Sequence, residues 1–194
     1  MDINHIQSYT INKNKNFSYL NESISVIQQI IQKFPVKKIT MGTGFGAPGV
    51  VLLDILRKIN LNISVFYIDT GVLFKETYDL KEKLEDYYNI KFVKISTSTS
   101  ISKQKELYGD KLWENDPNLC CNIRKVMPLK KALKDFDVWI TGIRKFQTNI
   151  RQNSKIIEFN KIFNISKVNP LINWTHEHIW EYIKMQNIPY NKLH

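Results

Sequence analysis

The chain has 194 residues, with 28 Lys and Arg against 18 Asp and Glu, a formal net charge of +10, and 43% hydrophobic residues. That hydrophobic share excludes an intrinsically disordered chain, the seven Gly and six Pro exclude collagen-like and Pro/Gly-rich low complexity, and two Cys exclude a disulfide scaffold. The charge admits nucleic acid, an anionic membrane, an acidic protein or an anionic small substrate, so where it sits along the chain matters.

The start, MDINHIQSYTINKNKNF, is polar and lacks the apolar core of a signal peptide. Residues 1–20 read as a polar N-terminal segment and 21–194 as a single α/β domain. Apolar runs such as VVLL at 50–53 are far too short to span a bilayer, so a soluble, cytoplasmic protein with reduced thiols is expected. Over 21–34, Ile24, Ile27, Ile31 and Phe34 recur at helical spacing, with Asn21 or Ser23 as the cap. VKKITM (36–41) is the first strand, and a Gly-rich turn leads from it to a helix over 48–58. SVFYID (64–69), led in by Ile63, is a second strand, nearly all apolar as a strand buried on both faces should be. A helix over 74–88, a strand over 90–96 and a loop over 96–102 entering another helix follow. Residues 122–134 are helical, and DVWITGI (137–143) is a fourth strand. A hairpin over 155–168 precedes an amphipathic helix from Thr175 to Gln186, with Ile179, Trp180 and Ile183 inward. Strands alternating with helices predict an α/β, doubly wound, mostly parallel sheet flanked by helices. Ligands bind such sheets at the carboxyl ends of the strands.

Four motifs fall at those ends. In MGTGFGAPG (41–49), glycines let the backbone bend and approach a ligand, and the N–H groups of the next helix face an anion, which makes Thr43, Gly44, Phe45, Gly46 and Ala47 candidate phosphate ligands. The turn is neither a Walker A motif nor a clean Rossmann fingerprint, and its plainer reading is an ordinary strand-to-helix turn. Asp69-Thr70-Gly71 ends the second strand, where a carboxylate can accept from a ribose hydroxyl or an adenine amine; the plainer role is to cap the helix beginning near Phe74, Glu76 and Thr77. Cys120-Cys121 precedes Asn122-Ile123-Arg124-Lys125. A disulfide between neighbours is strained, thiolates bind iron–sulfur clusters or zinc, and adjacent cations favour thiolate. Two small apolar residues near a helix start are the plainer reading, and two cysteines cannot fill four ligand positions. TGIRKFQTNIR (141–151) leaves the fourth strand with Arg144, Lys145, Gln147 and Arg151, whose arginine forks suit phosphate and sulfate oxygens; a solvated basic loop is the alternative. From Arg124 to Arg151, eight basic residues face only Asp135 and Asp137, so +6 of the +10 lies around the cysteine pair and the expected anion site. His5, His176, His178 and His194 read as solvated or capping residues.

Together, TMGTGFGAPGVVLLDIL, FYIDTGVLFKETY, YGDKLWENDPNLCCNIRKVMPLKKAL, WITGIRKFQTNIR and KVNPLINWTHEHIWEYIKMQNIPYNKLH resemble the assimilatory sulfonucleotide reductases, which reduce adenylyl sulfate (APS) or its 3′-phosphorylated form (PAPS). The resemblance runs from about residue 36 to the last residue. It implies an adenine nucleotide alpha-hydrolase-like fold, with residues 43–49 cradling the phosphosulfate, Asp69 to Gly71 beside the nucleoside, and Arg124, Arg144 and Arg151 holding phosphate and sulfate. The Cys-Cys pair marks the branch that carries a [4Fe-4S] cluster and prefers APS, with Cys120 and Cys121 as two of the four ligands and Lys125 between cluster and substrate. In that family a tail cysteine attacks the sulfur of APS, AMP leaves, and thioredoxin or a similar dithiol releases sulfite from the S-sulfocysteine. The cluster acts there electrostatically.

The family's Gly-Tyr segment with a Cys-x-x-Cys pair and its nucleophilic tail cysteine are not among residues 1–194. The expectation is a chain that binds APS or AMP but does not turn over, with no catalytic residue of its own and half of the cluster ligands. Serines common at the glycine turn are replaced by Gly44 and Phe45, which leaves Thr43 as its only hydroxyl. Alternative readings are a PAPS reductase, an ATP pyrophosphatase-type adenylylating enzyme, a basic nucleic-acid module, and a remnant serving as a structural partner. Neither a nucleic-acid nor a membrane partner is expected, and a homo-oligomer is compatible with the sequence.

Overall fold

The computed structural model describes residues 18–193, so the polar segment expected over 1–20 lies outside the described residues up to residue 17. Helix α1 (Ser18–Lys33) begins earlier than the 21 expected, because Leu20 is already part of the core. Neither Asn21 nor Ser23 caps it. Asn21 is an exposed residue inside the helix, and Ser23 is fully buried. The Ser23 hydroxyl lies 2.9 Å from the Tyr19 carbonyl and 2.8 Å from that of Pro170, and accepts the Trp174 indole N–H at 2.9 Å. A serine on the apolar stripe is tolerated because its polar atom is satisfied on both sides.

The elements then alternate: β1 (Ile39–Thr43), α2 (Ala47–Lys58), β2 (Ser64–Asp69), α3 (Lys75–Tyr88) and β3 (Val93–Ser96). The first strand starts at Ile39 and not at 36, since Val36–Lys38 form an exposed 3-10 turn after Pro35 and burial begins only at Ile39. Between β3 and the fourth strand lie α4 (Ile101–Tyr108), α5 (Leu112–Asn115), α6 (Pro117–Cys121), a π-helical turn (Asn122–Val126) and α7 (Met127–Leu133). The expected continuous helix over 122–134 therefore opens with a wide turn carrying Arg124 and Lys125. Strand β4 (Val138–Ile140) is followed by 3-10 turns at Lys145–Gln147 and Asn149–Arg151, then β5 (Ile157–Asn160), β6 (Ile165–Val168) and α8 (His176–Gln186).

The six strands form one sheet in the order β3-β2-β1-β4-β6-β5, parallel throughout except for β5, which runs antiparallel to β6 in the expected hairpin. From β1 the order runs outward to β2 and β3 on one side and to β4 and β6 on the other. The switch point is thus the gap between the ends of β1 and β4, where doubly wound sheets bind ligands. Alternation along β2 sorts the faces. Val65 and Tyr67 join a large core with α1, α2 and α8, whereas Phe66 joins a smaller one with Leu129, Leu133 and Ile165. In the large core, buried Asp54 of α2 accepts the hydroxyls of Tyr88 and Tyr182, each at 2.8 Å, and pairs with Lys58 at 2.8 Å. Burial and that carboxylate push both phenols far above their ordinary range. On α8, Ile179 and Ile183 point inward as expected, but Tyr182 fills the remaining inward position. Trp180 lies half-buried at the edge, its ring packed on Tyr190 at 5.1 Å.

Candidate functional site

A cleft of about 690 Å³ opens at the carboxyl ends of β1, β2 and β4, walled by α5, α6 and the π turn. Its floor is apolar, with Phe66 and Ile68 from β2 and Trp139 from β4. Gly42 lies opposite Phe66 in the parallel register, and a Cβ there would stand 2.7 Å from the Trp139 indole nitrogen and 2.9 Å from the Phe66 ring. Only glycine lets those two rings meet across β1.

Of the residues singled out from sequence, Thr43, Gly44, Thr70, Cys120, Cys121, Arg124 and Lys125 line this cleft together. Arg124 is its most telling member. The residue is 4% exposed, and among the described residues its one hydrogen bond runs to the Thr99 carbonyl at 3.4 Å, its Nε has no partner, and no carboxylate pairs with it. A buried guanidinium left in this state is costly unless an anion completes it. Lys125, the next residue, is exposed at the same wall. Both ride on the π turn, an insertion frequent at functional sites because it re-aims side chains out of the α-helical register.

The cysteines share that wall. Cys120 is buried, Cys121 is exposed, and both are free thiols. The carboxamide nitrogen of Gln104, the sole buried residue of α4, lies 4.0 Å from the Cys120 sulfur. Among the described residues, no group of three or more His, Cys, Asp or Glu is placed to hold a metal ion. A four-iron cluster takes four thiolates, so Cys120 and Cys121 suit one edge of such a group and do not hold it by themselves.

Phe45, Gly46, Ala47, Asp69, Gly71, Arg144, Gln147 and Arg151 are not in the lining of this cleft. Phe45 has a left-handed backbone, φ 59°, which turns its ring into the core, 5.4 Å from Tyr67 and 5.0 Å from Phe92. Its amide donates to Thr43 Oγ1 at 3.0 Å. Gly46 is the N-cap of α2 and Ala47 its first residue; Pro48 has no amide N–H, and the Gly49 and Val50 amides donate to the Gly46 carbonyl at 2.9 and 3.1 Å, which leaves the amides of Gly46 and Ala47 for an anion. Asp69 is held by the Gly71 amide and the Tyr78 hydroxyl, both at 2.8 Å, and by Lys94 at 2.7 Å. Burial alone would raise its carboxyl, but those three donors outweigh it and hold the group below the usual carboxylate range. Neither Asp69 nor Thr70 caps α3, whose N-cap is Phe74. The carboxylate instead fixes the turn at Gly71, which has φ 75°.

Arg144, Gln147 and Arg151 form a second unit. The Gln147 side-chain oxygen accepts from the Arg144 amide at 3.2 Å and from the Arg151 guanidinium. Arg144 is 8% exposed, its Nε is also without a partner, and burial lowers the pKa of its guanidinium. The segment leaves β4 through Gly142, where a Cβ would come within 3.0–3.1 Å of the Pro48 and Gly49 backbone. This places the chain entering the arginine unit against the first turn of α2.

His178 caps α8, its Nδ1 accepting from the Thr175 amide at 3.3 Å, and His5 and His194 lie outside the described residues. Sequence reasoning missed the floor and rim of the cleft: Phe66, Ile68, Trp139, Phe74 and Trp113. Gly42 inside a strand is the one signal that two large rings meet there.

The sequence matches the phosphoadenosine phosphosulfate reductase domain over residues 38–194. It is 41% identical to adenosine 5′-phosphosulfate reductase 2 of Bacillus subtilis (strain 168) over 159 residues, which is 81% of this chain and 67% of that protein. It is 36% identical over 173 residues to adenosine 5′-phosphosulfate reductase of Bacillus anthracis, covering 89% of this chain and 76% of the relative. Among solved structures, phosphoadenylyl-sulfate (PAPS) reductase from Candida auris in a phosphate complex superimposes with a TM-score of 0.74 at 27% identity, over 93% of this chain and 91% of that one. The NH3-dependent NAD synthetase of Campylobacter jejuni shares the fold alone, with a TM-score of 0.61 at 14% identity over 88% of this chain and 72% of the other. With a domain match over residues 38–194 and relatives 36–41% identical over most of the chain, the chain belongs to the phosphoadenosine phosphosulfate reductase domain family.

Proposed function

We propose that this chain is the nucleotide-binding body of an adenylyl-sulfate reductase of sulfate assimilation, which converts adenylyl sulfate to sulfite and AMP at the expense of a dithiol such as thioredoxin. The observation that carries this reading is the buried, carboxylate-free Arg124 beside Lys125 and the cysteine pair on one cleft wall. The names borne by the Bacillus relatives favour adenylyl sulfate over its 3′-phosphorylated form.

In this reading the apolar floor of Phe66, Ile68 and Trp139 takes the non-ionic part of the nucleotide and keeps water from it. Arg124 and Lys125 hold the phosphosulfate oxygens and offset the charge that gathers on the leaving AMP. The α2 amides of Gly46 and Ala47 and the Arg144–Gln147–Arg151 unit flank the anion from the β1–β4 side. A thiolate attacks the sulfate sulfur, an S–S bond forms, and the sulfur–oxygen bond to AMP breaks, leaving S-sulfocysteine. One thiol of a dithiol then attacks the cysteine sulfur and expels sulfite, forming a mixed disulfide, and its second thiol displaces the enzyme cysteine as a thiolate and closes the dithiol to a disulfide. The attacking thiol is not among the groups assigned here, since Cys120 and Cys121 are reserved for an iron–sulfur site. That site takes two further thiolates from outside residues 1–194. When bound, the cluster, net anionic with its four thiolates, would add a local charge that Lys125 and Arg124 offset beside the sulfate. Reduced thiols at both positions suit a cytoplasmic setting.

Calorimetry with AMP and adenylyl sulfate tests the reading. Heat of binding and a raised melting temperature are expected with both ligands, weakened at least about tenfold by Arg124→Ala, the size of one charge-assisted hydrogen bond. No heat and no thermal shift would sink the nucleotide site. Residues 1–194, given dithiothreitol and adenylyl sulfate, are expected to bind without releasing sulfite. Sulfite release abolished by Cys121→Ser would reassign that thiol as the nucleophile.

A further inference from the structure

The basic run from Arg124 to Arg151 divides in space. Arg124 and Lys125 enter the cleft, but Lys130, Lys131 and Lys134 do not. These three line a separate groove of about 450 Å³ between α7 and the turn joining β5 to β6, together with Met127, Leu133 and Phe163. We propose that this groove docks an acidic, partly apolar segment of a partner protein.

Lysines elsewhere, among them Lys58, Lys81, Lys94 and Lys167, pair with carboxylates. Among the described residues, Lys130, Lys131 and Lys134 have no ion pair and no side-chain hydrogen bond, and no carboxylate lines the groove. Asp135, the next acid along the chain, is outside the lining, and its carbonyl accepts from Lys38 at 2.9 Å. Three unpaired cations around one hollow favour a ligand that brings several negative charges.

The floor of the groove adds an apolar contact surface. Leu133 is buried, and Met127 is 61% exposed at the start of α7, a large apolar side chain that no other described residue covers. Cations around such a floor suit a peptide with carboxylates and one or two apolar side chains, with Met127 as the adaptable contact. A nucleic acid fits less well. Among the described residues the groove holds no arginine fork and one aromatic ring, Phe163, which is half-buried and packed edge-on to Trp139 at 5.7 Å, so it offers no free face for a base. The same Phe163–Trp139 contact makes the groove and the cleft share a wall, and α7 continues directly from the turn that carries Arg124 and Lys125. A segment docked here would sit beside the cleft without entering it.

The test uses the full chain and a fluorescein-labelled peptide, Glu-Leu-Glu-Glu-Phe-Asp-Glu-Leu, followed by anisotropy. The triple change Lys130→Glu, Lys131→Glu and Lys134→Glu is expected to weaken binding at least about tenfold. A control with the same net charge, Lys37→Glu, Lys83→Glu and Lys192→Glu, is expected to weaken it less than about threefold, since exposed charges at a distance are screened. Met127→Ser should weaken the binding that survives in high salt. Equal losses in the two triple variants would reduce the effect to general attraction and overturn the proposal. So would tighter binding of a single-stranded oligonucleotide of matched charge. Should the charge reversal unfold α7, as circular dichroism would reveal, Lys→Gln at the same three positions supplies the comparison, with the same loss expected and no loss overturning the groove.

Discussion

Asp69 and Arg124 are both buried charges, 5% and 4% exposed, but among the described residues only Asp69 has a partner of opposite charge. Lys94, the Gly71 amide and the Tyr78 hydroxyl satisfy the carboxylate. Its pKa in the fold is depressed, so its contribution to stability is complete above the unfolded carboxyl range and is lost as pH falls through the folded value. Asp69→Asn should therefore cost about 1–3 kcal/mol at neutral pH, as charged hydrogen bonds do. The gap between variant and parent should close in acid below about pH 4, the ordinary carboxylate range. Urea titrations across pH check this, and a gap that persists in acid would mean that shape and not charge is at work. Arg124 is the reverse case, because among the described residues its guanidinium has one long hydrogen bond, to the Thr99 carbonyl, while its Nε has no acceptor and its charge no carboxylate. Arg124→Met keeps most of the volume and removes the unpaired charge, so the melting temperature should hold or rise while AMP affinity falls. A residue that costs stability and confers affinity is one held for its ligand, and a variant that loses both would make Arg124 structural.

Three glycines near the switch point make different demands. At Gly142 an added Cβ would meet the backbone of Pro48 and Gly49 at 3.0–3.1 Å, and a helix backbone does not give way as a side chain does. At Gly42 it would strike the Trp139 and Phe66 rings at 2.7 and 2.9 Å. At Gly44 nothing lies within 4 Å, and its φ is outside the left-handed range. Alanine at 42 or 142 should thus cost about 1–3 kcal/mol, as overpacking does. Alanine at 44 should stay within about 0.5 kcal/mol, a surface-like effect that thermal melts resolve. The glycine-rich turn was legible in sequence, but not which glycines it needs, since Trp139 and Pro48 reach it from other elements. The same limit explains the other differences. The βα alternation follows from apolar runs such as SVFYID, and the grouping of Cys120, Cys121, Arg124 and Lys125 follows from their adjacency. Lys94 meets Asp69 across the β2–β3 pairing, and Phe45 turns inward through a left-handed backbone. Neither is encoded in local periodicity. The short helices α5 and α6 are too brief to show a helical repeat at all.

The sheet is covered unevenly, and that shapes how the whole molecule should answer a ligand. Helix α2 buries eight residues in the large core, whereas α4, α5 and α6 bury one each, Gln104, Leu112 and Cys120. Local opening follows the number of apolar contacts broken, so the wall over residues 97–126 should open well below the global unfolding free energy. That wall carries Cys120, Cys121, Arg124 and Lys125, and it meets the fixed strand ends across the cleft. An anion that completes Arg124 joins the loose wall to the rigid sheet, and ligand linkage stabilises whatever it joins by RT ln(1 + [L]/Kd). Hydrogen exchange read by mass spectrometry should show residues 97–126 exchanging long before α2, α8 and β1 in the free protein. Saturating AMP, at about a hundredfold over Kd, should slow that segment by up to about a hundredfold and leave α2 and α8 nearly unchanged. Uniform slowing would mean that the ligand acts only on global stability. Slowing confined to the glycine turn would place the nucleotide away from Arg124 and from the wall that carries it.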